Sequence, residues 1–227
     1  MIKAVVFDLD HTLFDRYGTI RKMVPELRDC FDLNDGVTDE MFAEELCYGD
    51  KHFVYKGWEG IREHLISKNI FKNAPDFPEY KRVMLSHFEK TAVKYDFANP
   101  VLKELKDSGY KVGLITNGDP ELQRKKLAML DLCNSFDEMI ISGETDYDKP
   151  QKEIFFMMAE KLGVEPAEMM YVGDHPLNDI YGARNAGCVP VWVKTTGEWI
   201  FPEIPKPELQ VETVGEIPSL VKKINGD

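Results

Sequence analysis

The stretch KAVVFDLDHTLF at residues 3–14 limits what this chain can fold into more than any other. Ala4, Val5, Val6 and Phe7 form a short unbroken apolar run with a β-branched centre. That is the pattern of a strand covered on both faces in a parallel sheet, not of one with a wet side. Two acids follow at once. Alternation along an extended backbone sends Asp8 and Asp10 to one side and Leu9 to the other, and in a parallel α/β sheet the strand ends open onto a ligand crevice. Acids at the end of a buried strand carry a desolvation cost and repel each other, and a divalent cation would remove both penalties. The competing reading has Asp8 and Asp10 capping a turn with Thr12 as a helix N-cap, and this stretch alone does not choose between them.

From residue 15 to residue 96 the pattern turns helical, with segments at 19–31, 39–49, 57–69 and 77–95 separated by turn-rich stretches such as Asn34-Asp35-Gly36 and Asn73-Ala74-Pro75. In the last segment Phe77, Tyr80, Val83, Met84, Phe88 and Ala92 recur at the spacing of one buried helix face. Residues 32–36 place a glycine as a calcium loop does but lack its later ligands, and read as a turn. From Asn99 onward, helices at 100–108, 120–132, 151–162 and 176–186 alternate with strands at 110–116, 138–142, 169–173 and 189–193. A proline-rich tail at 201–207 is expected to run extended, and residues 217–224 to form a short closing helix. The expected fold is α/β, a doubly wound, Rossmann-like parallel sheet over residues 1–14 and 97–227 with a helical domain inserted at 15–96.

No apolar run approaches the roughly 20 residues that span a bilayer. The N-terminus enters a strand by residue 3 without the segments of a secretory signal, so a cytoplasmic protein is expected. Cys30, Cys47, Cys133 and Cys188 are scattered, with no Cys-x-x-Cys pair, and read as reduced thiols in small apolar niches. The formal charge of −12 argues against a nucleic-acid polymer or an anionic membrane as partner, because phosphate backbones are held by excess Lys and Arg. A small anionic substrate would need a local positive site. The pattern leaves oligomeric state open, and Trp192 and Trp199 suit either packing or a dimer surface.

Three further loops follow strand ends. At Thr116-Asn117-Gly118 a hydroxyl and outward backbone amides sit just before a helix, where anions bind well, although the same residues make an ordinary turn. Lys149, ahead of Pro150 and a helix, would neutralise a substrate phosphate, while most lysines in such places are solvated. At the next strand end Gly173 allows a sharp turn, Asp174 can reach a metal, and Asp179 a turn later can support it; helix capping is the competing role. Together the four loops bring three or four carboxylates, one hydroxyl and one lysine to one edge of the sheet. That is the composition of a Mg²⁺-dependent phosphoryl-transfer site.

On Asp8-Leu9-Asp10-His11-Thr12, Thr116-Asn117, Lys149-Pro150 and Gly173-Asp174 with Asn178-Asp179, the whole chain resembles the haloacid dehalogenase-like hydrolase superfamily, and its insert resembles the C1-type cap of that superfamily. Around Thr116-Asn117-Gly118 it is most similar to the branch holding pyrimidine 5′-nucleotidases and N-acylneuraminate-9-phosphatases. The resemblance implies that Asp8 is the nucleophile, forming an aspartyl-phosphate, and that Asp10 acts as general acid and then base. It implies that Thr116 and the Asn117 amide grip the phosphoryl oxygens while Lys149 neutralises charge in the transition state. It also implies Mg²⁺ on Asp8, the backbone carbonyl of Asp10, and Asp174, with Asp179 and Asn178 in support.

The activity expected from this likeness is hydrolysis of a small phosphorylated metabolite. A phosphomutase shares the same motifs. A 2-haloacid dehalogenase shares the fold and the aspartate nucleophile but gives Asp10 no task, and a non-catalytic module leaves the whole set unexplained. Substrate choice is expected to lie in the insert, with Arg21, Lys22, Lys51, His52, Tyr55 and Trp58 as candidates. His11 and His175 read as exposed loop histidines without a catalytic role.

Overall fold

The apolar run after Lys3 forms β1 (Ala4–Phe7), buried along its whole length. The computed structural model describes residues 1–53, 57–196 and 199–226. In it β1 is joined by β2 (Lys111–Thr116), β3 (Glu138–Ile141), β4 (Met169–Gly173), β5 (Val189–Val193) and β6 (Leu209–Val211) in one parallel sheet of order β3-β2-β1-β4-β5-β6. Val5 stands opposite Val112 on one side and Met170 on the other. A central strand covered on both faces has room for no polar side chain until its end. The chain runs outward from β1 to β3, then returns to start β4 on the other flank, so the strand order reverses about β1. In open parallel sheets the crevice beyond the carboxyl ends at such a reversal is where ligands bind.

The chain divides into two units, Met1–Asp15 with Lys94–Asp227 and Arg16–Val93. The second unit is helical: α1 (Arg16–Arg28), α2 (Asp39–Phe53), α3 (Gly57–Ser67) and α4 (Phe77–Thr91). Ile20, Met23 and Leu27 of α1, Phe42 and Leu46 of α2, and Tyr80 and Met84 of α4 are buried. α1 starts three residues before apolar periodicity suggests, because its first residue is a buried cation. Arg16 forks onto Asp50, Nη2 to Oδ1 at 2.6 Å, with its guanidinium over the rings of Phe88 and Trp58. Of the insert candidates, Trp58 is committed to that packing and the His52 ring lies tilted against Tyr48, with ring centroids 4.2 Å apart. Arg21 and Lys22 are exposed, Lys51 is half-buried, and Tyr55 lies outside the described residues.

In the first unit α5 (Ala98–Asp107), α6 (Pro120–Met129), α7 (Lys152–Leu162), α8 (Gly182–Asn185) and α9 (Ile217–Asn225) accompany the sheet. Ile154, Phe155 and Met158 of α7 pack into one core with Ala4, Val6, Ile115, Met169 and Tyr171. Several expectations need correction. Residues 176–185 are helical as expected but not α-helical throughout: Pro176–Tyr181 is a π-helix that runs into α8, and His175 Nδ1 caps it by accepting from the backbone N–H groups of Leu177 and Asn178. His175 is therefore a half-buried loop cap, not an exposed histidine. Part of the tail turns, and β6 follows it as a three-residue edge strand too short to read. Cys30 and Cys133 are exposed, and only Cys47 and Cys188 occupy buried niches. Thr12 caps no helix, because its hydroxyl is buried without a hydrogen-bond partner. Trp192 is buried and donates to the Asp174 carbonyl at 2.9 Å, which places it in packing. Among the described residues no helix is long and apolar enough to cross a membrane.

Candidate active site

Four loops at the carboxyl ends of β1 to β4 converge, and Lys149 is where they meet. Its ammonium lies 2.6 Å from Asp8 Oδ1, 2.7 Å from Asp179 Oδ1 and 2.9 Å from the Tyr171 hydroxyl. An ammonium has three N–H donors, and here each has an acceptor. This lysine is 4% exposed, so it is no surface residue. The Asn117 side chain fixes its backbone by donating to the Lys149 carbonyl and accepting from the Lys149 N–H, both at 2.9 Å. Asp179 is held in turn by the His175 N–H, 2.9 Å from Oδ2. It packs so tightly over Gly173 that a Cβ there would stand 2.4 Å from Asp179 Cγ. Only glycine lets that strand end and that carboxylate coexist.

Asp10 faces another partner. Lys126 of α6 places its ammonium 2.8 and 3.0 Å from the two Asp10 oxygens, and Gln123 Nε2 lies 3.3 Å from Oδ2. The same amide group donates to Thr116 Oγ1. Asn178 contributes its backbone N–H to His175.

Asp8, Asp174 and Asp179, all buried, each offer a carboxylate oxygen within 4.8 Å of the other two. Counting Asp10, four carboxylates face two ammonium groups here. Burial pushes the Asp8 carboxyl up to about 7, with the charges of Asp179 and Asp10 adding and Lys149 pulling the other way. Burial raises Asp174 as well, reinforced by Asp179 and Asp8. For Lys149 burial works to strip the charge, but Asp179 and Asp8 outweigh it and hold the ammonium well above its usual range. The excess of buried negative charge, presented entirely through hard oxygens, fits a divalent cation such as Mg²⁺.

A stability experiment follows from the sign of the Asp8 shift. The native chain keeps a proton on this carboxyl up to about pH 7 that the unfolded chain releases near its ordinary value of 3.8, so ionising it costs stability as pH rises through that window. In chelator, the melting temperature of Asp8→Asn minus that of the parent chain is expected to become steadily more positive from about pH 4 to about pH 7. His175, whose pKa burial lowers, titrates in the opposite sense but is common to both proteins. A difference that stays flat with pH would rule out burial of Asp8 as its source.

Of the residues singled out from sequence, Asp8, Lys149, Asp174 and Asp179 come together, with Asn117 behind Lys149 and Asp10 beside Thr116 through Gln123. Sequence reasoning missed Tyr171, Gln123 and Lys126. With Leu127 the last two form the buried stripe of α6, where an inward face is ordinarily apolar.

A family model of haloacid dehalogenase-like hydrolases matches residues 2–187. The chain is 33% identical to a glyceraldehyde 3-phosphate phosphatase of Methanopyrus kandleri, over 86% of this chain and 84% of that one. It is 29% identical to an N-acylneuraminate-9-phosphatase of Mus musculus, over 99% of this chain and 95% of that one. Among solved structures, a HAD phosphatase from Thermococcus onnurineus superposes with a TM-score of 0.66 at 26% identity, covering 99% of this chain and 98% of its own. The match spans all four loops and the strands β1 to β4 that present them, and by it this chain belongs to the haloacid dehalogenase-like hydrolases.

Proposed function

We propose that the chain hydrolyses small phosphate monoesters, with Mg²⁺ as cofactor and an aspartyl-phosphate on Asp8 as intermediate. The observation that carries this reading is the contrast between two acids on one loop. Asp8 has a 9% exposed side chain and sits against Lys149, whereas Asp10 is 24% exposed and paired with Lys126. Two neighbouring carboxylates in different settings can divide the work of nucleophile and acid.

Asp8 presents a carboxylate oxygen to the phosphorus, and that bond forms as the ester P–O bond breaks. Asp10 passes a proton to the departing alkoxide. In the second half Asp10 takes a proton from water, the water oxygen bonds to phosphorus, and the bond to Asp8 breaks with release of inorganic phosphate. The Thr116 hydroxyl, already accepting from Gln123, has its own proton to donate to a phosphoryl oxygen. Lys149 balances charge on the transferred group from beneath Asp8. Bound by Asp8, Asp174 and the Asp10 carbonyl, Mg²⁺ would supply the charge neutralisation that lets a carboxylate approach a phosphate dianion.

The relatives' names, both specifying phosphorylated small molecules, support this reading. Halide departs without a proton, so a dehalogenase would leave the Asp10 and Lys126 arrangement idle. The test is inorganic phosphate release from a panel of sugar phosphates, nucleoside monophosphates, phosphoglycolate and an aryl phosphate. Release is expected with Mg²⁺, lost in chelator and restored when Mg²⁺ is added back. Undiminished release in chelator would sink the metal assignment, and conversion of a sugar phosphate to its isomer without phosphate release would identify a mutase.

A further inference from the structure

Resting on the reading of Asp10 as acid and base, we infer that Lys126 is the positioning residue for that carboxylate, with Gln123 as its partner one turn earlier. The Lys126 side chain is 5% exposed, and its ammonium contacts both Asp10 oxygens at nearly equal distance while lying 5.4 Å from the centre of the Phe14 ring. Burying an ammonium and freezing a long side chain are both costly, and an ordinary surface ion pair is spared the first of these. The fold instead commits a whole helix to the contact. Asp119 caps α6 by accepting from the Leu122 N–H at 3.0 Å, Pro120 occupies its first turn, and its inward face is Gln123, Lys126 and Leu127.

The two buried lysines sort three of the four acids: Lys149 takes Asp8 and Asp179, and Lys126 takes Asp10. A contact to both oxygens anchors the Asp10 carboxyl group in place. Gln123 adds a second constraint. Its amide nitrogen reaches Asp10 Oδ2 and the Asn117 carbonyl at 3.3 Å each and also donates to Thr116 Oγ1. The group that serves the leaving oxygen is thereby held at a fixed spacing from the hydroxyl that faces the phosphoryl group. Proton transfer needs its partners within hydrogen-bond reach, so a carboxylate free to swing loses rate on esters whose leaving group requires a proton.

That dependence supplies the test. Glycerol 1-phosphate leaves as a strongly basic alkoxide and needs protonation, whereas p-nitrophenyl phosphate leaves as a stable phenolate and does not. Because kcat/KM reports steps up to loss of the leaving group, the ratio of the two values isolates assistance to that group. It is also indifferent to the fraction of protein that folds, since one active site turns over both esters. Asp10→Asn is expected to lower the alkyl-to-aryl ratio about 100-fold, and Lys126→Met about 10-fold or more. Lys126→Gln repeats the measurement should the methionine variant fail to accumulate. An unchanged ratio in the Lys126 variants alongside a collapsed ratio in Asp10→Asn overturns the positioning role and leaves the reading of Asp10 standing. An unchanged ratio in Asp10→Asn removes that reading and the role of Lys126 with it.

Discussion

Asp8→Asn is expected to lower kcat by about 10⁴-fold or more on alkyl and aryl phosphates alike. The amide matches the carboxylate in size, so the loop after β1 keeps its packing, but it has no nucleophilic oxygen to bond to phosphorus. Lys149 keeps Asp179 and Tyr171 as partners in the variant, so its charge does not become an orphan. One of the crowded negative charges disappears, and phosphate esters should bind at least as well as to the parent chain. The expected pattern is therefore loss of kcat with KM unchanged or lowered. A second readout fixes the role of the residue: brief incubation with phosphate-labelled ester, followed by acid quench, should leave label on the parent protein and none on the variant. Retention of more than about one per cent of the parent rate would exclude Asp8 as nucleophile.

The contrast with Asp10→Asn is what makes the assignment specific. That variant should spare nitrophenyl phosphate in the first half-reaction and accumulate label, because Asp10 is also needed to activate water afterwards. Two acids only two residues apart thus predict opposite labelling outcomes, which no general loss of folding can imitate.

The elements easiest to read in the sequence were those whose environment leaves little choice. β1 is legible because burial on both faces demands an uninterrupted apolar run, and the acids at its end stand out because nothing in such a run tolerates them. The other strand ends are legible for the same reason, since Thr116 and Asp174 each interrupt an apolar context. Lys149 was visible as a residue but not as a geometry. Its loop has no periodicity, and only the folded chain shows that Asp8, Asp179 and Tyr171 surround it.

Tyr171 was hidden in the opposite way, because an aromatic residue in a buried strand is adequately explained as core and its hydroxyl leaves no trace in the pattern. Gln123 and Lys126 were hidden by propensity: both are good helix formers, and a polar residue on a helix beginning at a strand end reads as solvated. The burial of Arg16 left no local sign either, since it depends on Asp50, 34 positions away. Where the sequence reading failed, the cause was pairing at a distance. Local preference describes one residue and its neighbours, whereas a buried charge is explained only by its partner.

Lys149→Met should have the largest effect on stability, about 3–5 kcal/mol, because it leaves buried acids without their cation. Asp8 and Asp179 each lose a contact shorter than 2.8 Å, and the Tyr171 hydroxyl loses the donor at 2.9 Å. The chain can recover part of that loss by protonating Asp8, and pH decides how much. Asp8 already holds its proton to about pH 7 with the lysine present, and removal of a neighbouring positive charge moves it further up. The variant's native state therefore binds more protons than the parent's across and above that range. Its stability relative to the parent falls as pH rises, so the loss should be modest near pH 5 and close to full near pH 8. Denaturation midpoints at the two pH values check this, and a loss at pH 8 below about 1 kcal/mol would mean that Lys149 is not what holds these acids. Lys149→Arg separates charge from shape: it restores a cation, but a planar fork does not direct three donors as an ammonium does. Stability should return in part and activity should not. Asp8 can be neutralised without unfolding the core because it is one acid of several, whereas Lys149 serves three acceptors at once, so its removal reaches both the chemistry and the fold.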